Sequence, residues 1–479
     1  MTSLYITEKP DVGRALADFL ARKAGTSAKK GDGFIEIPGV GDVTWCIGHL
    51  LEQAGMDFYL LPIAKKEDIK DGKVRWKPEY LPCLPSKMEM LPSGDKKKQI
   101  EVIRALVKKA SEIIHSADRD REGQSIVDEL LEHFGTKGKP VRRLVFSALD
   151  DHSIADAMSK IESNDLPKFR NMGLASKARS WADWAIGLNA TRICTALHSP
   201  GGVVSVGRVQ TPTLAVIVKR YMDVMNFKPV KFYVPVVTLP DGIVLEWRKM
   251  AGDEFVEGMD SEGRIIDEKL ARRIVDKINA GTAGVVTDAS SKEKKQAPPL
   301  PFSLDAIRSE MSRRHGLSVD QTTKACQSLY EKKMQTYVGT DCRYLPESMH
   351  GEALHVLKGL MSTGLKHAAE SATPTIKYGC WNDSKVTAHH AIIPTGVAGK
   401  LDSEAEKLVY DAVCRRYLAQ FHPEYRYLEA RLEANYGGSM FSASRKDPVA
   451  MGWKAVENVA DDDQEDVAMA AHELKNSIS

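Results

Sequence analysis

The 479-residue sequence lacks several features that would assign a protein to a class at once. No apolar run approaches the ~18 residues that a membrane-spanning helix needs, so we predict no membrane segment. The N-terminus carries charged residues where a secretory signal needs an apolar core, so the predicted location is the cytoplasm. The seven cysteines are scattered without a C-x-x-C pair, which argues against both a disulfide framework and a zinc ribbon.

Two further absences limit the chemistry. The sequence has no G-x-x-x-x-G-K-[ST] phosphate loop, so a phosphate site here is not expected to be that of an ATP-driven motor. Net charge is also small, because 67 basic residues nearly cancel 65 acidic ones, and any nucleic-acid surface must therefore be local. The hydrophobic content of 43% is that of a globular protein, and the length predicts roughly three or four domains.

The first 150 residues alternate strand and helix patterns, which predicts a mostly parallel sheet covered by helices. The strands "LYIT" and "SEIIHSA" are followed by Glu8 and Asp118. Chemistry in such sheets is found beyond the carboxyl ends of the strands. We therefore expect both carboxylates to face one crevice.

The remainder alternates between helical and β-rich regions. Residues 151–220 are predicted helical, and "FYVPVVTLPDGIVLEW" is predicted to be β-rich. The polar segment 290–301 has the charge and proline of a connector. Ser318 and Gln321 form a capping-box pattern that opens a helix. The segment "YRYLEARLEANYGGSMFSASR" is predicted to return to β structure, and the acidic tail 460–479 to be helical or frayed.

Three carboxylates recur at every second position in "DRDREGQ", namely Asp118, Asp120 and Glu122. One interpretation is a charged first helical turn, which the helix dipole stabilises. The other is a magnesium site, because crowded carboxylates repel one another unless a cation compensates them and hard oxygen ligands suit Mg²⁺. Glu8 would complete such a cluster, for metal binding or for proton transfer.

Tyrosine and histidine residues in the second half are ambiguous when taken alone. Tyr337 fits a core tyrosine with a satisfied hydroxyl. His389 and His390 are adjacent, so on a strand they would point to opposite faces and a two-histidine metal site is disfavoured. One histidine facing a site is the better interpretation.

Six motifs together resemble the bacterial type IA DNA topoisomerases, and within that family the topoisomerase III group. They occur in the family's order over nearly the whole chain: "YITEKP" (5–10), "IGHLLE" (47–52), "DRDREGQ" (118–124), "SVGRVQTPTL" (205–214), "LYEKKMQTYVGTDCRYLP" (329–346) and "HHAIIPT" (389–395). The resemblance implies a multidomain α/β protein with an N-terminal TOPRIM domain, a Rossmann-like parallel sheet, and toroidal architecture shortened at the C-terminus. The implied segments are TOPRIM at 1–150, a helical gate at 151–216, a β-rich arch at 217–290, a helical domain at 291–399 and a returning arch segment with the tail at 400–479.

The resemblance also implies roles for individual residues. Tyr337 matches the nucleophile that becomes linked to a 5′ phosphate, and Glu8, Lys9 and His389 match catalytic positions. The Mg²⁺ ligands implied are Glu8, Asp118, Asp120 and Glu122. DNA contacts are expected from Arg192, Arg208, Gln210 and Arg343. Further phosphate contacts are expected from Arg142, Arg143, Lys177 and Arg179, while Trp181 and Trp184 either stack bases or pack in a core.

Two departures from the family pattern affect the expected activity. The family usually has Tyr-Pro-Arg-Thr/Ser-Asp at the nucleophile, whereas this chain has Gly339 in place of the arginine. A Gly339→Arg substitution is therefore expected to speed cleavage, unless Arg343 already fills that role. The family's chain also continues past the position of "GWKAV" (452–456), where only the acidic tail follows here.

Three functions follow from these observations. The favoured one is a monomeric Mg²⁺-dependent, ATP-independent topoisomerase that acts on single-stranded, negatively supercoiled or catenated DNA, with a helicase partner left open. The second is a shortened relative that binds single-stranded DNA without efficient cleavage. The third is a TOPRIM nuclease or primase, which the "SVGRVQTPTL" and Tyr337 motifs argue against.

Overall fold

The structure is a computed structural model that describes residues 2–457 except 147, 148, 150, 200, 250–256 and 282. The acidic tail lies outside the described residues. The chain divides into two compact units, the first formed by Met1–Asn226 with Val386–His390, the second by Phe227–Lys385 with Ala391–Ser479. Within the described part, no helix combines the length and apolar character required to cross a membrane.

The first unit is built on a seven-stranded sheet. The strands of this unit are β1 (Ser3–Thr7), β2 (Lys29–Lys30), β3 (Phe34–Ile37), β4 (Gly41–Trp45), β5 (Leu51–Gln53), β6 (Ile69–Lys70), β7 (Lys73–Val74), β8 (Met90–Pro92), β9 (Glu112–His115), β10 (Val141–Arg143) and β11 (Glu162–Ser163). The strand order in the seven-stranded sheet is β11-β10-β9-β1-β4-β3-β2, with parallel pairing among β10, β9, β1 and β4. The predicted parallel sheet is therefore confirmed. Its helices are α1 (Pro10–Ala24), α2 (Met56–Leu60), α3 (Lys97–Lys109), α4 (Arg121–Phe134), α5 (Asp151–Ser159), α6 (Pro167–His198) and α7 (Gln210–Met225).

Local sequence explains where the helices beside the central strands begin and end. Helix α1 starts with Pro10, which suits the first helical position because no partner is needed there for its missing N–H. It ends at Gly25 with φ 62°, a left-handed cap that glycine adopts at no steric cost. Helix α4 is capped by Asp120, whose side chain accepts a hydrogen bond from the Gly123 amide. Both helices therefore begin just beyond the strand that precedes them.

Two apolar cores hold the sheet of the first unit between its helices. One joins Leu4 and Ile6 of β1 to residues of α3 and α4, including Ile103 and Val127. The other joins the opposite side of the sheet to α1, with Leu16 fully buried. Because every second residue of a strand points to the same face, β1 supplies side chains to both cores.

The second unit combines an antiparallel sheet with a helical core. The sheet has the order β12-β13-β16-β15-β14 and joins β12 (Val236–Thr238), β13 (Val244–Arg248), β14 (Gly284–Gln296), β15 (Tyr425–Tyr436) and β16 (Ser439–Ala450). The helices are α8 (Glu268–Asn279), α9 (Leu304–His315), α10 (Val319–Glu331), α11 (Ser348–Gly351), α12 (Ala353–Leu360), α13 (Lys366–Glu370), α14 (Glu404–Ala419) and α15 (Lys454–Glu457). A buried cluster that includes Ile307, Leu329, Leu357 and Tyr417 packs helices α9, α10, α12 and α14 together.

The structure confirms two predictions for the second unit and corrects a third. The returning β region is present as the β15–β16 hairpin, and the capping box of Ser318 and Gln321 opens α10. The connector predicted at 290–301 is wrong for residues 290–296, because these continue β14 and pair with β15. The polar side chains misled the prediction, since β14 is an exposed strand that carries charges on the solvent side.

Candidate functional site

Two carboxylates of the first unit lie at one edge of the sheet, each just after one of two neighbouring strands. Strand β1 pairs in parallel with β9, so that Ile6 is opposite His115. Glu8 and Asp118 follow these strands, and both reach Lys9, whose Nζ lies 3.5 Å from Glu8 Oε1 and 2.6 Å from Asp118 Oδ2. The expected meeting of the two carboxylates at the carboxyl ends of the strands is therefore observed.

Glu8 is the least compensated carboxylate of the cluster. Its Oε2 is buried and makes no hydrogen bond. Burial, followed by the negative charge of Asp118, raises the pKa of the Glu8 carboxyl. Gly123 makes this approach possible, because a Cβ there would lie 2.8 Å from Glu8 Oε2 and 2.7 Å from the Asp118 carbonyl oxygen. A side chain at position 123 would thus close the space between the helix and Glu8.

Asp118 is held ionised by two cationic or hydrogen-bonding partners. Its Oδ2 lies 2.6 Å from Lys9 Nζ and 3.0 Å from His389 Nε2. Burial alone would raise the pKa of this carboxyl, but the hydrogen bond from His389 and the charge of Lys9 outweigh it and lower the pKa to about 2. The structure thus brings together four of the predicted residues, Glu8, Lys9, Asp118 and His389.

The loop that carries Asp118 is fixed by Arg143, which is only 1% exposed. Its guanidinium donates to four backbone carbonyls and to one side-chain amide: His115 O, Ala117 O, Leu144 O, Asp118 O and Gln124 Oε1. The prediction that Arg143 contacts phosphates is wrong, because the side chain is buried and all three guanidinium nitrogen atoms donate hydrogen bonds inside the protein. Buried charged donors of this kind determine loop geometry.

The three carboxylates of "DRDREGQ" do not share one environment. Asp120 caps α4 and remains close enough to Glu8 to raise the pKa of Glu8. Glu122 lies one residue inside the helix, and its side chain instead pairs with Arg179 and lies 3.4 Å from His49 Nε2. No group of three or more His, Cys, Asp or Glu side chains in the described residues has metal-binding geometry. Glu8, Asp118 and Asp120 therefore lie near one another without forming a three-ligand group, and Glu122 has other partners.

A cleft of about 770 Å³ lies beside Glu122 in the first unit. The cleft is lined by Gln53, Glu122, Arg179, Ser180, Asp183, Trp184, Gly187, Leu188, Thr191, Ser205, Val206, Gly207, Arg208, Val209 and Gln210. It thus includes the first six residues of the "SVGRVQTPTL" motif. Arg208 binds Asp183 through two hydrogen bonds of 2.7 and 3.1 Å. Gln210 is the first residue of α7. Arg208 and Gln210, both predicted to contact DNA, therefore line this cleft.

Arg192 and the two tryptophans, which were also predicted to contact DNA, are placed differently. Arg192 is buried, donates to Asp57 at 2.8 Å and lies over the Trp76 ring, so its guanidinium is engaged within the protein. Trp184 is buried with its Nε1 donating to the Ala54 carbonyl, which confirms core packing for one of the two tryptophans. Trp181 remains partly exposed.

Tyr337 lies in the second unit, in an irregular segment after α10. The neighbouring residue Thr336 anchors this segment, because its amide donates to Ile393 O and its Oγ1 accepts from the Ile393 amide, both at 3.0 Å. The Tyr337 ring is half-buried and packs edge-to-face on Tyr330 with centroids 5.5 Å apart. A Cβ at Gly339 would lie 2.6 Å from the Tyr337 hydroxyl oxygen, so the phenol rests on the glycine.

Arg343 is the cation that was proposed to replace the missing arginine. Its Nε donates to Pro301 O at 2.9 Å and its Nη2 to Leu300 O at 2.8 Å. Burial, and then the charge of Arg416, lowers the pKa of Arg343. Two of its donor positions are thus committed to backbone carbonyls.

Comparison with known proteins places this chain in a family. A Toprim domain model matches residues 3–149, and a bacterial topoisomerase model described as DNA topoisomerase matches residues 167–477. The chain belongs to the type IA DNA topoisomerases. It is 36% identical to DNA topoisomerase 3 of Vibrio cholerae over 97% of this chain and 72% of that protein. It is 32% identical to DNA topoisomerase 3 of Bacillus subtilis over 97% of this chain and 61% of that protein.

A solved structure supports the same fold. Full-length topoisomerase I from Thermotoga maritima aligns with a TM-score of 0.58 and 21% identity, and the alignment covers 95% of this chain and 68% of that one. The predicted TOPRIM domain with its parallel sheet, the mixed α/β content and the type IA topoisomerase fold of this chain are confirmed. The motifs gave no role to His49 or Gly123, although both lie inside or beside quoted motifs. Contacts between distant elements define those roles, and spacing along the chain does not reveal them.

Proposed function

We propose that this topoisomerase cuts one strand of DNA with Tyr337 and reseals it through a 5′-phosphotyrosine intermediate. The Tyr337 hydroxyl gives up its proton as its oxygen attacks the phosphorus, the bond between the phosphorus and the 3′ oxygen breaks, and the leaving 3′ oxygen takes up one proton, so the number of protons is unchanged. Resealing reverses these steps. One phosphodiester replaces another, so no nucleotide is consumed, in agreement with the missing phosphate loop.

The arrangement around Lys9 is the observation that carries the proposal. Its ammonium lies between Glu8 and Asp118, and the raised pKa of Glu8 makes this carboxyl a group that can hold a proton. We assign proton transfer at the leaving 3′ oxygen to Lys9 and Glu8, with His389 fixing Asp118. A perturbed carboxyl beside a fixed cation is typical of general acid–base sites.

The donor set supports a divalent cation. Glu8, Asp118 and Asp120 offer hard oxygen atoms, and the buried Glu8 Oε2 has no hydrogen-bond partner. These properties suit Mg²⁺, which would neutralise charge on the reacting phosphate when bound. We propose Asp118 and Asp120 as its holders, with Glu8 as a further ligand only while its carboxyl is ionised, and Glu122 remains a predicted ligand.

Single-stranded DNA is the proposed ligand of the cleft lined by Arg179, Arg208 and Gln210. Negatively supercoiled or catenated DNA supplies such strands, and the cytoplasm is the proposed location. We expect DNA cleavage to be slower than in relatives that carry the arginine, because this chain has Gly339 at that position.

Covalent capture tests the proposal. Tyr337→Phe is expected to abolish the protein–DNA adduct while single-strand affinity remains, because only a hydroxyl is removed. Binding should weaken with salt at a slope of roughly −0.7 per phosphate contact. Tyr330→Phe is the matched control, since Tyr330 packs against the nucleophile and should retain adduct formation. An adduct that persists in Tyr337→Phe and disappears in Tyr330→Phe would reassign the nucleophile.

A further inference from the structure

Glu122 is held away from the other carboxylates by a set of contacts on its own side of α4. Its Oε1 pairs with Arg179 of α6, and its Oε2 lies 3.4 Å from both His49 Nε2 and Ser176 Oγ. His49 is itself positioned by Glu129, at 3.0 Å from Nδ1. The pair is solvent-accessible, with the Glu122 side chain 45% and that of Arg179 39% exposed. This conformation is therefore maintained by contacts that solvent and ligands can reach.

The remaining carboxylates lack a metal-binding arrangement in this conformation. Glu8 Oε2 is buried without a hydrogen bond, Asp118 is engaged by Lys9 and His389, and Asp120 caps α4. As noted, the described residues contain no three-ligand group. Glu122 stands two residues after Asp120 and is the nearest carboxylate in sequence that could add to the set.

Arg179 connects this carboxylate to the cleft. Both Arg179 and Glu122 line it, together with the Arg208–Asp183 pair. A phosphodiester that enters the cleft competes with Glu122 for the Arg179 guanidinium, which binds phosphate and carboxylate in the same planar, two-pronged way. Exposed ion pairs add little stability, so the exchange of partner is energetically easy.

We propose that strand binding completes the metal site: a phosphate in the cleft takes Arg179, and the released Glu122 carboxylate joins Asp118 and Asp120. The inference rests on the proposed function, in which these aspartates hold the divalent ion. Since binding free energies are reciprocal, the metal must also tighten strand binding by the same factor. Arg179 is thus a positioning residue that makes full metal affinity conditional on a bound strand.

The experiment measures Mn²⁺ binding by electron paramagnetic resonance in the Tyr337→Phe protein, which lacks the hydroxyl of the proposed nucleophile. Titrations are run without and with a saturating single-stranded oligonucleotide, and the Mn²⁺ taken up by the oligonucleotide alone is subtracted. We expect the oligonucleotide to tighten protein-bound Mn²⁺ by about 5-fold or more. Adding Arg179→Ala should tighten Mn²⁺ without the oligonucleotide and remove most of the further gain. With Glu122→Gln added instead, the protein should bind Mn²⁺ equally weakly with and without the oligonucleotide.

Lys168→Ala is the matched control, because Lys168 is another cation on α6 that pairs with Glu162 and does not contact Glu122. It should retain the full coupling. Equal Mn²⁺ affinity with and without the oligonucleotide in the Tyr337→Phe protein would overturn the inference alone. Mn²⁺ binding that Asp118→Asn does not weaken would overturn the proposed metal site, and the inference with it.

Discussion

Gly339 offers the sharpest test of how this topoisomerase positions its proposed nucleophile, Tyr337. In the structure the Tyr337 phenol rests on the glycine, and a Cβ at position 339 would lie 2.6 Å from the hydroxyl oxygen and 2.8 Å from Cζ. Ordinary contacts between such atoms are about 3.5 Å, so any side chain must push the phenol by about 1 Å. The perturbation to test is therefore Gly339→Ala, which adds the Cβ and nothing else.

The size of the effect follows from the displacement. A nucleophile misplaced by about 1 Å loses on the order of 100-fold in rate. An arginine at the same position adds the same Cβ but also a charge-assisted contact to phosphate, about 1.5–3 kcal/mol, equal to roughly 10- to 150-fold. The two effects oppose each other in Gly339→Arg. Comparison of Gly339→Arg with Gly339→Ala, rather than with the native chain, isolates the contribution of the guanidinium.

Single-turnover cleavage of a 5′-labelled oligonucleotide measures both effects. We expect Gly339→Ala to cleave up to about 100-fold more slowly than the native chain with unchanged strand affinity. We expect Gly339→Arg to cleave at least about 10-fold faster than Gly339→Ala. A Gly339→Ala rate equal to the native rate would refute the packing argument. A Gly339→Arg rate no higher than that of Gly339→Ala would refute the missing-arginine argument.

The metal and the buried arginine give two further predictions. Asp118→Asn combined with Asp120→Asn should abolish Mg²⁺-dependent relaxation of negatively supercoiled DNA and keep the fold, because asparagine also caps helices well; relaxation by this variant in EDTA would contradict the metal assignment. Arg143→Met should lower the free energy of unfolding in urea by about 3 kcal/mol or more, because it leaves buried carbonyl oxygens without a hydrogen-bond donor. The control Arg142→Met, at a partly exposed side chain, should change this free energy by less than about 1 kcal/mol. Equal losses in the two variants would show that the Arg143 contacts contribute little.

The part of the fold that the sequence predicted well is the part determined by local signals. Strands β1 and β9, the end of α4 at Gly135 and the capping box of α10 all follow from periodicity, turn residues and caps. The prediction failed at β14, where charged residues and the following prolines resemble a connector. Pairing with β15 over the whole strand, a contact between residues more than a hundred positions apart, outweighs the local preference.

The candidate site shows the same division between local and distant information. That Glu8 and Asp118 meet was predictable, because parallel neighbouring strands end at one edge of the sheet. The different environments of Asp118, Asp120 and Glu122 were not predictable. Asp118 lies in a loop, Asp120 is the helix cap and Glu122 is in the first turn of α4, although the three are equally spaced in sequence. Each position there points in a different direction, so spacing of two does not mean a shared face.

Arg143 and Arg179 show why a residue type alone cannot assign a role in this topoisomerase. Both were predicted to contact phosphates, yet Arg143 donates to four backbone carbonyls in the interior, whereas Arg179 lines the cleft and pairs there with the exposed Glu122 carboxylate. A buried arginine that loses its partners incurs a large desolvation cost, so its contacts are permanent. An exposed arginine exchanges partners at little cost, so it can respond to DNA. Burial and the ability to exchange partners therefore distinguish Arg143, which fixes the loop that carries Asp118, from Arg179, which can connect DNA-strand binding to the carboxylates. Only the folded chain determines these two properties.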